Sequence, residues 1–162
     1  MTPALRKQAA ELIEVYTAQG KMVASAESCT GGMITATLTA VSGSSSVVDR
    51  GFVTYTNEAK AEMLGVDMAM IVEYGAVSEP VARAMAEGAL VRSQAYAAVS
   101  VTGIAGPNGG TDAKPVGLVH FGCASRDGKT MHRRVVFSGD RDAVREQTVA
   151  MAFELLMAAL DV

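Results

Sequence analysis

Apolar residues recur every three to four positions from Pro3 to Gln19, placing Leu5, Ala9, Leu12, Ile13 and Tyr16 on one helical face, with Gly20 as the stop. Met22 to Ala26 is short and apolar, the pattern of a strand, and helical spacing resumes from Thr30 to Ala40 through Ile34 and Leu38. Gly43-Ser44-Ser45-Ser46 reads as a loop, and Val47 to Tyr55, rich in Val, Phe and Tyr, as a strand. Thr56 or Asn57 caps a short helix through Leu64, closed by Gly65. Ser78-Glu79-Pro80, a capping serine with an early proline, opens a helix to about Gln94. Ala95 to Thr102 alternates apolar and small residues as a buried strand, and a glycine-rich stretch runs from Gly103 to Gly117. Val116 to Ala124 and Thr130 to Phe137 pair as a hairpin around Asp127-Gly128, and Asp140 caps a closing helix to Leu160. Strands separated by helices predict an α/β fold, a three-layer α/β/α domain over residues 1–162, and the late hairpin makes its sheet mixed.

Composition narrows the functional classes. Hydrophobic residues make up 49% of the 162 and charged residues 19%, a balance that buries a core without disulfides or metal. The net charge of -3 argues against nucleic-acid binding and against acidic membrane surfaces, which both want basic faces. Cys29 and Cys123 are too few for a disulfide framework and read as reduced thiols of a cytoplasmic protein. Met1 to Ala10 has no apolar h-region, so no signal peptide is expected. Ser28 to Val48 carries no charge before Asp49, yet its Gly, Ser and Thr content and the break at Gly43 fit a buried helix and loop rather than a membrane span.

The chemistry gathers at junctions between strands and helices, where α/β folds bind ligands. Ser28 lies at the first junction, followed by Thr30, Gly31 and Gly32, whose glycines let backbone approach a substrate. That suits a nucleophile with oxyanion donors beside it, and equally an ordinary helix cap. Cys29 is a rival nucleophile, since a helix N-terminus lowers a thiol pKa. Lys60 falls in the first turn of its helix, where the dipole disfavours an ammonium. If buried, it becomes a neutral amine able to take a serine proton; if exposed, it pairs with Glu58 or Glu62. Thr102 to Thr111 offers unhindered N–H groups as a nest for phosphate or carboxylate, or a plain turn. Arg141 and Arg145, four apart, can clamp a phosphate together or pair with Asp142 and Glu146. His120 and His132 have no partner at metal spacing, no G-x-S-x-G elbow occurs, and neither a Walker A loop nor G-x-G-x-x-G is present.

Taken together, Ala26-Glu27-Ser28-Cys29-Thr30-Gly31-Gly32, Gly43-Ser44-Ser45, Arg50-Gly51-Phe52-Val53-Thr54-Tyr55, Asn57-Glu58-Ala59-Lys60 and Gly75-Ala76-Val77-Ser78 resemble the C-terminal domain of the competence-damage-inducible CinA family. Thr102-Gly103-Ile104-Ala105-Gly106-Pro107, Lys114-Pro115-Val116-Gly117 and Gly139-Asp140-Arg141 continue the likeness, which spans roughly Leu5 to Leu160. The molybdopterin-binding-like domain of full-length family members is not among these 162 residues. The resemblance implies hydrolysis of the carboxamide of nicotinamide mononucleotide by a Ser-Lys dyad, which maps onto Ser28 and Lys60. It further implies a pocket lined by Tyr55, the Ser44 and Ser45 loop, and Thr102 and Gly103, with Arg141 or Arg145 on the phosphate and Thr30 and Gly31 around the oxyanion. No metal or organic cofactor is expected, and a homo-oligomer is. The alternative is a non-catalytic nucleotide-binding or partner-binding domain that keeps the pocket without turnover.

Overall fold

The computed structural model describes residues 1–161; Val162, the last residue of the domain read from the sequence, lies outside them. Five strands, β1 (Val23–Glu27), β2 (Val48–Val53), β3 (Ala97–Gly103), β4 (Leu118–Ser125) and β5 (Met131–Val136), form one sheet in the order β2-β1-β3-β4-β5. β1 is parallel to both β2 and β3, whereas β4 runs antiparallel to β3 and to β5, so the sheet is mixed as the late hairpin requires. β1 and β4 are buried along their whole length, and β3 all but its last residue; only the edge strands β2 and β5 reach solvent repeatedly. Near-continuous runs of Val, Ala and Ser in the inner strands follow from burial on both faces.

Helices α1 (Pro3–Gln19), α2 (Met33–Thr39), α3 (Asn57–Leu64), α4 (Met68–Tyr74), α5 (Glu79–Val91) and α6 (Arg141–Ala158) complete the layers. α1, α2 and α6 cover one face around Leu12, Tyr16, Ile34, Val99, Phe121, Phe153 and Leu156. α3, α4 and α5 cover the other around Ala26, Leu64, Ile71, Val81, Met85 and Ala98. Small residues set how closely these layers approach. Gly88, inside α5, faces the backbone of Leu64 so tightly that a Cβ there would overlap its carbonyl oxygen, and α3 rests on that gap.

Several boundaries differ from the periodicity, each for a local reason. α2 begins at Met33 instead of Thr30 because Gly31 and Gly32 take left-handed backbone (φ 58° and 105°), making a tight turn first. Ser44–Ser46 is one turn of 3-10 helix within the expected loop. α4 is absent from the sequence reading: seven residues give too few turns for a clear period, although Asp67 caps it by accepting from Ala69 N. Ser78 stands at the start of α5, but its hydroxyl donates to Gly75 O rather than capping an amide. α5 ends at Val91, not Gln94. Thr56 and Asp140 do cap their helices, accepting from Ala59 N and Ala143 N.

Candidate active site

The C-terminal ends of β1, β2 and β3 meet at one rim of the sheet, with the end of β5 beside them. Ladder-like bonds continue past the strand ends: Thr54 N donates to Glu27 O (2.8 Å) and Ser28 N to Val101 O (3.1 Å), which fixes Ser28 between two neighbours. The chain leaving β2 turns at Thr56 into α3, whose first turn carries Lys60 back over that rim. Lys60 is 1% exposed, and its Nζ lies 3.1 Å from Ser28 Oγ. Backbone carbonyls surround the same nitrogen: Thr54 O at 3.0 Å, Tyr55 O at 3.3 Å and Thr56 O at 3.5 Å.

Burial holds the Lys60 amine below an ordinary lysine's 10.5, against a smaller upward pull from Cys29 and Glu58. A neutral amine has two hydrogens and one lone pair. Donating the hydrogens to the Thr54 and Tyr55 carbonyls leaves the lone pair free to accept the Ser28 hydroxyl hydrogen, the arrangement a general base needs. Cys29 sits next door, but burial pushes its thiol up to about 11, and thiolate is the reactive form. The side-chain oxygen of Thr54, whose carbonyl accepts from Lys60, is the one buried side-chain polar atom without a partner among the described residues.

Ser28 and Lys60 open on a cleft of about 300 Å³. Its walls include Tyr55 and Asn57 from the β2–α3 turn, Ala76 and Val77 before α5, Thr102 and Gly103 at the end of β3, and Ile104 to Gly106 with Asn108 and Gly109 beyond it. Arg141, at the start of α6, closes the far side. Its Nη1 donates to Gly106 O (2.8 Å), and its Nη2 lies 3.5 Å from Tyr55 Oη. In the glycine-rich loop, Ile104 N donates to Leu118 O and Gly117 N to Ile104 O, which closes its neck. The N–H groups of Ala105, Gly106, Asn108 and Gly109 have no protein acceptor among the described residues, so this wall offers donors to an anion.

Not every expected site residue reaches the cleft. Ser44 and Ser45 precede β2, which runs parallel to β1, so they sit at the opposite rim from Ser28, one strand length away. Thr30 is fully buried, its hydroxyl spent on Glu27. Gly31 and Gly32 form the turn behind Ser28, and Gly31 N donates to Ser28 O (3.1 Å), so it is not free for an oxyanion; the amide of Cys29, which lines the cleft, is. Arg145 does not join Arg141 at the cleft. Its Nε donates to Cys29 O (3.2 Å) and its Nη2 to Thr30 O (3.1 Å), because one helical turn carries it below the rim. From the sequence, Asn57 reads only as a helix cap and Asn108 only as part of a loop suited to anions. Both follow structural signals, a helix start and a glycine-rich turn, that conceal a second use.

Outside the cleft, His120 Nδ1 and His132 Nε2 lie 2.8 Å apart, and burial with mutual repulsion holds His120 down at about 4. No group of three or more His, Cys, Asp or Glu is placed to hold a metal among the described residues, and no helix there is long and apolar enough to cross a membrane.

Comparison with known proteins agrees with this architecture. The model of the CinA C-terminal domain matches residues 5–160. The nicotinamide-nucleotide amidohydrolase PncC of Escherichia coli (strain K12) is 52% identical over 143 residues, 88% of this chain and 87% of that protein. A CinA-like protein of Mycolicibacterium gilvum is also 52% identical, over 87% of this chain but only 33% of its own length. The crystal structure of a competence/damage-inducible protein from Agrobacterium tumefaciens superposes with a TM-score of 0.96 at 49% identity, covering 98% of this chain and 97% of that one. With the matched model spanning almost the whole chain and three relatives at about half identity, the chain belongs to the CinA C-terminal domain family.

Proposed function

We propose that this protein hydrolyses the carboxamide of nicotinamide mononucleotide to nicotinic acid mononucleotide and ammonia, with Ser28 as nucleophile and Lys60 as its base. The observation that carries the reading is a buried amine, lowered in basicity by burial, 3.1 Å from a serine hydroxyl at the floor of a cleft. The 52% identity to an Escherichia coli protein named for this amidohydrolase supports the choice of substrate. Neutral Lys60 takes the hydroxyl proton as Ser28 Oγ bonds to the carboxamide carbon. The oxyanion forms against the free amide of Cys29, on the cleft wall beside Ser28. As the C–N bond breaks, the lysine ammonium returns its proton to the departing nitrogen, which leaves as ammonia. Water then adds to the acyl-enzyme, giving one proton to Lys60, and the acid departs as Ser28 regains its hydrogen. Arg141 lines the same cleft as Ala105, Gly106, Asn108 and Gly109, whose free amides suit the phosphate.

Ammonia release from nicotinamide mononucleotide tests this directly. Wild type releases ammonia, Cys29→Ala retains activity, and Ser28→Ala and Lys60→Ala lose it by 1,000-fold or more, on the order expected for losing an activated nucleophile. Folded wild type without turnover, yet binding the nucleotide, points instead to the non-catalytic reading. Two buried, unpaired cysteines support a reducing cytoplasmic setting, and sedimentation of the pure chain reads out the homo-oligomer.

A further inference from the structure

The turn that carries Ser28 is gripped from both sides by charged groups outside the cleft. Glu27, the last residue of β1, is fully buried, and its carboxylate reaches forward over the turn. Its Oε1 accepts from the Thr30 hydroxyl (2.6 Å) and from Ile34 N (2.8 Å). Its Oε2 accepts from Thr35 N (3.0 Å) and is shared by the hydroxyls of Ser25 and Thr35, themselves 2.7 Å apart. α2 needs this help, because Gly32 at its N-cap has no side chain to hold the first amides. On the other side, the Arg145 guanidinium takes the carbonyls of Cys29 and Thr30. A trans peptide points its N–H opposite to its C=O. Holding the Cys29 carbonyl on Arg145 therefore aims the Thr30 amide away from Arg145.

We infer that Glu27 and Arg145 are positioning residues for the reaction, clamping the Ser28–Gly32 turn so that the hydroxyl and the Cys29 amide keep their geometry. This rests on Ser28 as the nucleophile. Neither residue lines the cleft, so neither holds substrate. Glu27→Gln keeps the shape but puts an NH2 group where only donors converge, and Thr30→Val removes one anchor while leaving the volume. Arg145→Lys keeps the charge but cannot span two carbonyls.

Kinetics on nicotinamide mononucleotide separate the possibilities. In Glu27→Gln, Thr30→Val and Arg145→Lys, kcat is expected to fall on the order of 10- to 100-fold, with KM within about twofold of wild type and the pH midpoint unmoved. A simple loss of stability lowers Tm without that split, measured well below the melting range of each variant. Should Glu27→Gln not fold, Thr30→Val carries the same test, since a methyl replaces its hydroxyl. Wild-type kcat in the folded variants overturns the inference. A raised KM with kcat kept does so too and would return Arg145 to the phosphate; a shifted midpoint would make Glu27 an electrostatic partner of Lys60. If wild type releases no ammonia, the amidase reading fails on its own. The rate at which a fluorophosphonate labels Ser28 then reads the turn: slower in all three variants if they position it, equal to wild type if they do not.

Discussion

A lysine serves as a base only while it has a lone pair, and the fold around Lys60 is arranged to leave it one. α3 delivers the side chain into a space with three carbonyls and a hydroxyl, and with no carboxylate among its hydrogen-bond partners there. Burial then favours the uncharged amine, lowering its pKa from 10.5. The sign of the pH response follows. Below that pKa the ammonium cannot accept the Ser28 proton, and above it the amine can, so kcat/KM rises with pH. It levels off at a lower pH than a solvated lysine would give. A profile measured from about pH 6 to about pH 10 that stays flat would remove lysine as the base. At this scale the sequence was informative about type and less so about surroundings. Ser28 and Lys60 stand in distinctive strings at helix starts, and both are legible. Burial of Lys60 comes with its approach to Ser28, 32 positions away in the chain, and so is not. Ser44 and Ser45 show the converse: an attractive polar loop whose placement is set by strand direction rather than by residue type. Arg145 shares a helix with Arg141, yet one turn of α6 is enough to exchange a ligand for two backbone carbonyls.

Between elements, the position of Lys60 depends on how closely α3 lies against α5. Gly88 permits that approach, and its substitution by alanine sets two effects against each other. Helix propensity favours alanine by about 1 kcal/mol. Overlap with the Leu64 carbonyl costs about 1–3 kcal/mol, because backbone cannot swing aside as a side chain can. The contact wins. Gly88→Ala is expected to lower Tm by several degrees and to cut ammonia release as α3 is pushed outward, read by thermal melts alongside the kinetic assay. A rise in Tm would show instead that α3 shifts without strain. Elements with strong periods, α1, α3, α5 and α6, are evident in the sequence to within a few residues, as are the hairpin strands. α4 and the late start of α2 are not, since one is too short for a period and the other is decided by two left-handed glycines.

Across the whole molecule, a parallel trio of strands and an antiparallel pair bring four chain segments to one rim, so residues between Ser28 and Arg141 share a single cleft. The order β2-β1-β3 accounts for this, because parallel neighbours end together. That order was not readable from the pattern of apolar positions, although the layered class and the mixed character of the sheet were. The same geometry divides the labour of the connections. Those at the cleft rim are under chemical constraint, while the connection through Gly43 to Ser46 at the far rim answers only to packing. An insertion of a short flexible segment after Gly43 should therefore leave turnover within a few-fold of wild type, whereas the same insertion between Asn108 and Gly109 should abolish it. Loss of turnover in the first, with folding intact, would deny that separation. The molecule thus has a working end and a building end, and a reporter domain or affinity handle grafted at the building end would ride along without interfering.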